Sequence, residues 1–201
     1  MSDALVLSKE AQDLLFRSAR TANSFTDEPV TDEQLRAIYD LVKFGPTAMN
    51  NQPLRVTAVR SPEARERLVR HMGGNNAPKT AKAPLALVLS ADSSFHEHFP
   101  TTFPVLPDAR ENFSGMPVEA REDMALRNAF LQVAYLIVGV RAAGLAAGPM
   151  TGFDAEGLRE ELFGTDSTQT PVVVMNIGRP GPDAWFDRLP RLDYEAAVTE
   201  I

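Results

Sequence analysis

Apolar residues fall at two spacings along this chain, and the spacing separates helices from strands. Leu35, Ile38, Tyr39 and Val42 recur every three to four residues, which predicts a helix with one buried face. Thr31-Asp32-Glu33-Gln34 marks its start as a capping box, with Val30 and Leu35 placed as a hydrophobic staple. Gly45-Pro46 is expected to end it, glycine taking the left-handed cap and proline refusing to continue. An earlier helix is expected from Ser8 to Thr21, with Leu14, Leu15 and Ala19 on one face. Arg55 to Arg60 reads as a strand, followed by a Ser61-Pro62 cap and a helix to His71 that stops at Gly73-Gly74. Pro84 to Ala91 and Pro171 to Ile177 are apolar runs of strand length.

The longest periodic segment runs from Pro117 to Ala143 and is apolar nearly all round after Phe130, so burial on several sides is expected. Gly144 stops it. A short strand, Leu145 to Ala147, leads into a glycine-bearing loop, Gly148 to Phe153, and a further helix begins near Asp154. Residues 92–118 break the pattern with an aromatic and histidine cluster from Phe95 to Phe103 and prolines from Pro100 onward. They read as an irregular excursion, of the kind that often forms a lid or binding surface. Beyond Gly178 the chain is proline-rich, with a short helix near Tyr194. This tail has too little apolar periodicity to fold alone and is expected to lie on something, such as a partner subunit. With no repeat and no linker, one α+β domain over residues 1–201 is expected.

Composition narrows the chemistry. The net charge is −7, which argues against nucleic acid as a partner but not against a small anion held by a few local arginines. There are no cysteines, so a disulfide framework, a thiol nucleophile, a Cys-based zinc site and an iron–sulfur cluster are excluded. Met1-Ser2-Asp3-Ala4-Leu5 does not read as a signal peptide, and no run of about 20 apolar residues is found. A cytoplasmic protein with no membrane partner is therefore expected. There is no G-x-G-x-x-G after a strand, no P-loop and no G-x-S-x-G elbow. His96-Glu97-His98 could in principle hold a metal, but it reads better as exposed polar side chains, and no metal is expected.

Five polar or glycine-bearing segments remain as candidate ligand contacts. They are Arg20 to Phe25, Gly45 to Pro53, Asn75 to Lys79, Gly148 to Phe153, and Arg188-Leu189-Pro190-Arg191. The second packs amides and hydroxyls densely enough to read the edge of a planar heterocycle. The fourth permits close backbone approach, and the last spaces two arginines for a phosphate. Taken singly, each is equally a turn or a solvated charge.

Their order resembles the nitroreductase family over nearly the whole chain. "RTANSFTDEPVTDEQL" is similar to the family's N-terminal FMN signature, and "GPTAMNNQP" to its P-[ST]-x-x-N-x-Q-P motif. "GLAAGPMTGFD" resembles its flavin loop after the central helix, "VVVMNIGRP" its last core strand, and "RLPRLDYEAAV" its basic tail. "KFGPTAMNNQPLRV" and the Asp108-Ala109-Arg110 segment with Phe113 are similar to the malonic semialdehyde reductase subgroup of pyrimidine degradation.

The resemblance implies a three-layer α+β sandwich with a mixed sheet flanked by helices. It also implies a homodimer built on the long central helix, with the C-terminal tail embracing the other subunit. It implies bound FMN, NADPH or NADH as co-substrate, and ping-pong hydride transfer through flavin N5 to a small molecule. Malonic semialdehyde, reduced to 3-hydroxypropionate, is the expected substrate. A broad nitro and quinone reductase, a flavin-binding protein without turnover, and a non-catalytic scaffold are the alternatives.

Carried over by motif, Arg20, Thr21 and Asn23 would meet the ribityl-phosphate end. Ala19 stands where the family has a further arginine, with Arg188 and Arg191 as compensators. Pro46, Thr47, Ala48 and Asn50 would line the ring from the neighbouring subunit. Asn76, or Asn75 in another register, and Lys79 would read its pyrimidine edge. Met150, Thr151 and Gly152 would offer backbone N–H groups near N5. Arg110 is the candidate contact for a substrate carboxylate.

Overall fold

A computed structural model describes residues 5–201; the opening segment read for a leader lies, apart from Leu5, outside them. Four strands form one sheet in the order β1 (Leu54–Val59), β2 (Leu85–Asp92), β4 (Gln169–Gly178), β3 (Ala146–Met150). β2 and β4 lie at its centre, and β2 is buried along its whole length. Alternation sorts their side chains between two cores. Leu85, Leu87, Leu89, Val173, Met175 and Ile177 face one way, onto Ala129, Val133, Leu136 and Val140 of the long helix α7 (Val118–Ala142). Ala86, Val88 and Val174 face the other way, onto Leu68 of α3 (Pro62–Arg70) and Leu158 of α8 (Ala155–Phe163). The α+β sandwich with helices on both faces of a sheet is thus formed. The parallel pairing that a mixed sheet implies does not occur among the described residues, where all three pairings are antiparallel.

The helix α2 (Asp32–Val42) packs on the outer side of α7, and the capping box forms: Gln34 N–H donates to Thr31 Oγ1 at 3.1 Å, and Thr31 N–H to Gln34 Oε1 at 2.9 Å. Gly45 is not in the left-handed region; instead a Cβ there would strike the Tyr135 ring, so the glycine serves packing rather than capping. Gly144 does take the left-handed conformation, at φ 72°, and ends α7 as expected. α7 is 25 residues long and, by length and composition, apolar enough to cross a membrane, a test that a helix packed on a core also passes. One side of it packs on the sheet, while Leu126, Phe130 and Leu131 are exposed in the single chain.

Three further expectations are corrected. The N-terminal helix is α1 (Lys9–Gln12) continued by a π-helical turn, Asp13–Arg17, and it ends before Thr21. The 92–118 excursion is regular. A 3₁₀ turn (Phe95–His98), α5 (Phe99–Thr102) and α6 (Ala109–Ser114) gather Phe95, Phe99 and Phe113 edge to face, with centroids 5.1–5.8 Å apart. Within it His96 is buried, not exposed, and burial pushes its pKa below the usual histidine value. Finally, Asn76–Lys82 is a helix, α4; Pro78 is tolerated because it falls in the first turn, where its missing N–H is not needed. α9 (Tyr194–Ala197) closes an exposed tail.

Candidate functional site

Four of the five polar segments meet at the β3 edge of the sheet. Gly148 makes the approach possible: a Cβ there would stand 2.6 Å from the Ala22 carbonyl oxygen, and the Ala22 N–H donates to Ala147 O of β3 at 3.0 Å. This lays residues 20–23 along the strand. Asn23 then bridges two partners far away in sequence. Its Oδ1 accepts from Lys79 Nζ at 2.7 Å, and its N–H donates to Ala184 O at 2.9 Å. On the same helix as Lys79, Asn76 Nδ2 donates to Gly152 O at 3.0 Å, while Gly73 N–H donates to the same carbonyl. Asn75 occupies the cap position of α4 without a side-chain bond. Thr151 and Gly152 follow the last residue of β3, Met150, and are exposed.

The tail completes the arrangement. Arg20 Nη1 donates to Phe186 O at 3.1 Å, and Arg188 Nη2 donates to Arg17 O and Ala19 O. Arg20, Thr21, Asn23, Arg188 and Arg191 line a cavity of about 250 Å³ with Phe186, Asp187 and Leu189. Lys79 Nζ stands 6.0 Å over the Phe186 ring and donates to Asn23, so Lys79, on the helix of Asn76, reaches two residues of the cavity wall.

The arginines here are gathered around one cavity. Several others have carboxylate partners: Arg55 with Asp92 at 2.9 Å, Arg60 with Asp32 at 2.7 Å, Arg67 with Glu161 at 2.6 Å and Arg179 with Glu28 at 2.6 Å. Among the described residues no carboxylate lies within 4.0 Å of the guanidinium of Arg20, Arg141, Arg188 or Arg191. Three arginines around one cavity, none of them in an ion pair although Asp187 shares the lining, fit an anionic ligand. Arg141, from the last turn of α7, was missed by the sequence reading. It lies in the most helical and apolar segment, where an arginine reads as a flank, and no local motif marks it.

Pro46, Thr47, Ala48 and Asn50 are not brought to this place. They precede β1, at the opposite edge, and are held by α7 and α5. Ala48 N–H donates to Asn128 Oδ1 at 2.8 Å, Tyr135 Oη donates to Pro46 O at 3.0 Å, and Asn50 Nδ2 donates to Thr102 O at 2.7 Å. Met49, Asn50 and Gln52 take left-handed φ of 52°, 51° and 41°, a strained turn for side chains other than glycine. Beside it Tyr39, Lys43, Asn51, Gln52, Arg55, His98 and Gln132 line a cavity of about 310 Å³. Arg110, on α6, lies outside both places, with its Nε 2.8 Å from Glu97 Oε2. No cluster of three His, Asp or Glu residues suited to a metal occurs among the described residues.

A protein of Streptomyces coelicolor named as an NADH dehydrogenase/NAD(P)H nitroreductase is 65% identical over 98% of this chain and 100% of its own length. One of the same name from Stenotrophomonas maltophilia is 45% identical over 96% of both chains. Among solved structures, a nitroreductase from Exiguobacterium sibiricum in complex with FMN superposes with a TM-score of 0.84 at 17% identity, covering 96% of this chain and 98% of its own. An NAD(P)H:FMN oxidoreductase from Staphylococcus epidermidis gives a TM-score of 0.84 at 19% identity over 100% of both chains. At such identities these two speak for the fold. The profile described as "Nitroreductase family" matches residues 16–179, and the chain belongs to that family.

Proposed function

We propose that this protein is an FMN-dependent NAD(P)H oxidoreductase, and the observation that carries the reading is the arginine cluster around one cavity whose Asn23 is bonded to Lys79, on the helix where Asn76 holds Gly152. Arg20, Arg188 and Arg191 would hold the phosphate end, guanidinium forks being suited to phosphate oxygens. Thr21 and Asn23 would sit beside them, Asn76 and Lys79 at the pyrimidine edge, and the backbone of Met150, Thr151 and Gly152 close to the ring. A bound flavin supplies the hydride chemistry; the chain supplies position and charge. The Lys79 ammonium, already oriented by Asn23 Oδ1, would stabilise negative charge at the edge it faces.

A homodimer follows from the same reading. Phe44, Leu126, Phe130 and Leu131 are exposed, as are Phe186, Leu189 and Leu192 of the tail, more apolar surface than a monomer usually leaves uncovered. A second copy placed there would bring its own Pro46, Thr47, Ala48 and Asn50 toward the flavin.

The visible spectrum of the purified protein, before and after anaerobic NADPH or NADH, tests the function. Flavin bands that bleach on addition are the expected result; a colourless protein that also fails to take up added FMN overturns it. For the substrate, the names of the relatives favour a nitro acceptor, and a quinone is the other acceptor of the broad reading. Reduction of malonic semialdehyde is the narrower reading and needs a cation for the carboxylate. Arg110 is the candidate, and a substrate would have to replace Glu97 on it. Replacing Arg110 by Ala is expected to raise KM for carboxylate substrates by about tenfold and leave quinones unchanged. An equal effect on both classes removes Arg110 from that role.

A further inference from the structure

Arg141 is a part-buried cation beside this site. Its Nη1 donates to Leu15 O at 3.0 Å, and it lines a cavity of about 160 Å³ with Ser18, Ala19, Arg20 and Trp185. Arg20 also lines the larger cavity of about 250 Å³, so one residue borders both. Burial, and then the nearby Arg188 guanidinium, push the Arg141 pKa below the ordinary arginine value. Two like charges are thus held close, one of them poorly hydrated, with no carboxylate to offset them. Both are fixed by donation to main-chain carbonyls of residues 15–19, which uses only part of each five-donor fork.

We propose that Arg141 is a fourth cation of the anion site, an inner guanidinium that contacts the phosphate monoester of the flavin alongside Arg20 and Arg188. This rests on the flavin reading above. A phosphate monoester carries close to two negative charges near neutral pH, enough to reverse the sign of the Arg141–Arg188 interaction from cost to gain. A purely structural Arg141, serving only to cap the Leu15 carbonyl, would be indifferent to whether the ligand carries a phosphate.

The test compares FMN with riboflavin on the full-length protein freed of flavin. The chain has a single tryptophan, and Trp185 lines the same cavity as Arg141, so its fluorescence reads binding without any turnover. The unsubstituted protein is expected to prefer FMN to riboflavin by at least about a hundredfold. Arg141→Met is expected to cut that preference by about tenfold, with the riboflavin Kd unchanged within about twofold. Arg141→Lys keeps the charge and is expected to cut it by about threefold. A preference that survives Arg141→Met, or equal weakening of both flavins, overturns the assignment and leaves the flavin reading standing. An unsubstituted protein that binds neither flavin overturns both. Should Arg141→Met fail to fold, Arg141→Lys decides alone, an unchanged preference being the overturning result.

Discussion

The two edges of the sheet are finished in opposite ways. At the β3 edge, groups far apart in sequence touch one another, and their cations have no carboxylates: Arg20, Arg188 and Arg191 surround a cavity, while Lys79 is turned by an amide oxygen. At the β1 edge the 46–52 turn is held by its own neighbours, although the buried Asn51 amide has no hydrogen-bond partner. Asn128, Gln132 and Tyr135 of α7 supply its partners, and the cations Lys43 and Arg55 are neutralised by Asp40 and Asp92. One edge is left electrostatically open, the other is closed within the chain. The difference teaches that hydrogen-bonding residues alone do not mark a ligand site. Both edges are rich in them, and the gathering of three arginines around one cavity is what separates the two.

The comparison breaks most sharply at Gly148. Gly148→Ala places a Cβ against the Ala22 carbonyl oxygen, a backbone atom that cannot step aside, so residues 20–23 must leave the strand. FMN affinity is expected to fall by more than about a hundredfold, read by tryptophan quenching, because the phosphate arginine and Asn23 move together. Retention of affinity within about threefold would show that the β3 edge does not hold the ligand. At the other edge the expected loss is stability. Asn128 is buried and bonds both Ala48 N–H and Met124 O, so Asn128→Ala should cost about 1–3 kcal/mol and lower Tm by several degrees, with the preference for FMN over riboflavin unchanged. A change in that preference with Tm intact would blur the contrast.

The smallest effect concerns pH. His96 is buried beside Phe95, next to Arg121 and Glu97, with its folded pKa below the histidine value of 6.5. The unfolded chain therefore binds the proton more readily, and stability present above pH 6.5 is lost as pH falls toward the folded pKa. Melting temperatures taken from pH 7.5 to 5.5 should decline, and more shallowly for His96→Leu. Parallel curves for the two proteins would mean that His96 does not carry the dependence.

Much of the fold was legible because its signals are local. The Thr31–Gln34 capping box needs only three residues, Gly144 ends α7 by its own backbone, and the alternation of β2 and β4 needs only a buried sheet. What escaped needed partners at a distance. Asn76–Lys82 shows no element in the sequence, its amides and Pro78 masking a helix that Arg65 anchors by donating to Thr80 O at 2.7 Å and Ala83 O at 2.6 Å. The excursion after Asp92 reads as irregular because its helices are single turns, too short to show a period, and are stabilised by phenylalanines meeting one another. The candidate site was legible as a set of segments, through family order. Arg141 was not, because its role depends on Arg188, which lies 47 positions further along the chain and beside it only after folding.

The bonds from Arg188 to the carbonyls of Arg17 and Ala19 tie the two ends of the sequence into one place. A ribosome makes residues 17–23 on the order of ten seconds before Arg188 and Arg191 at ordinary elongation rates. Until then the cavity lacks two of the arginines that line it. Loading at this place is therefore expected to follow the synthesis of residues 188–191, and the colour of a preparation to report how many chains have brought the two segments together.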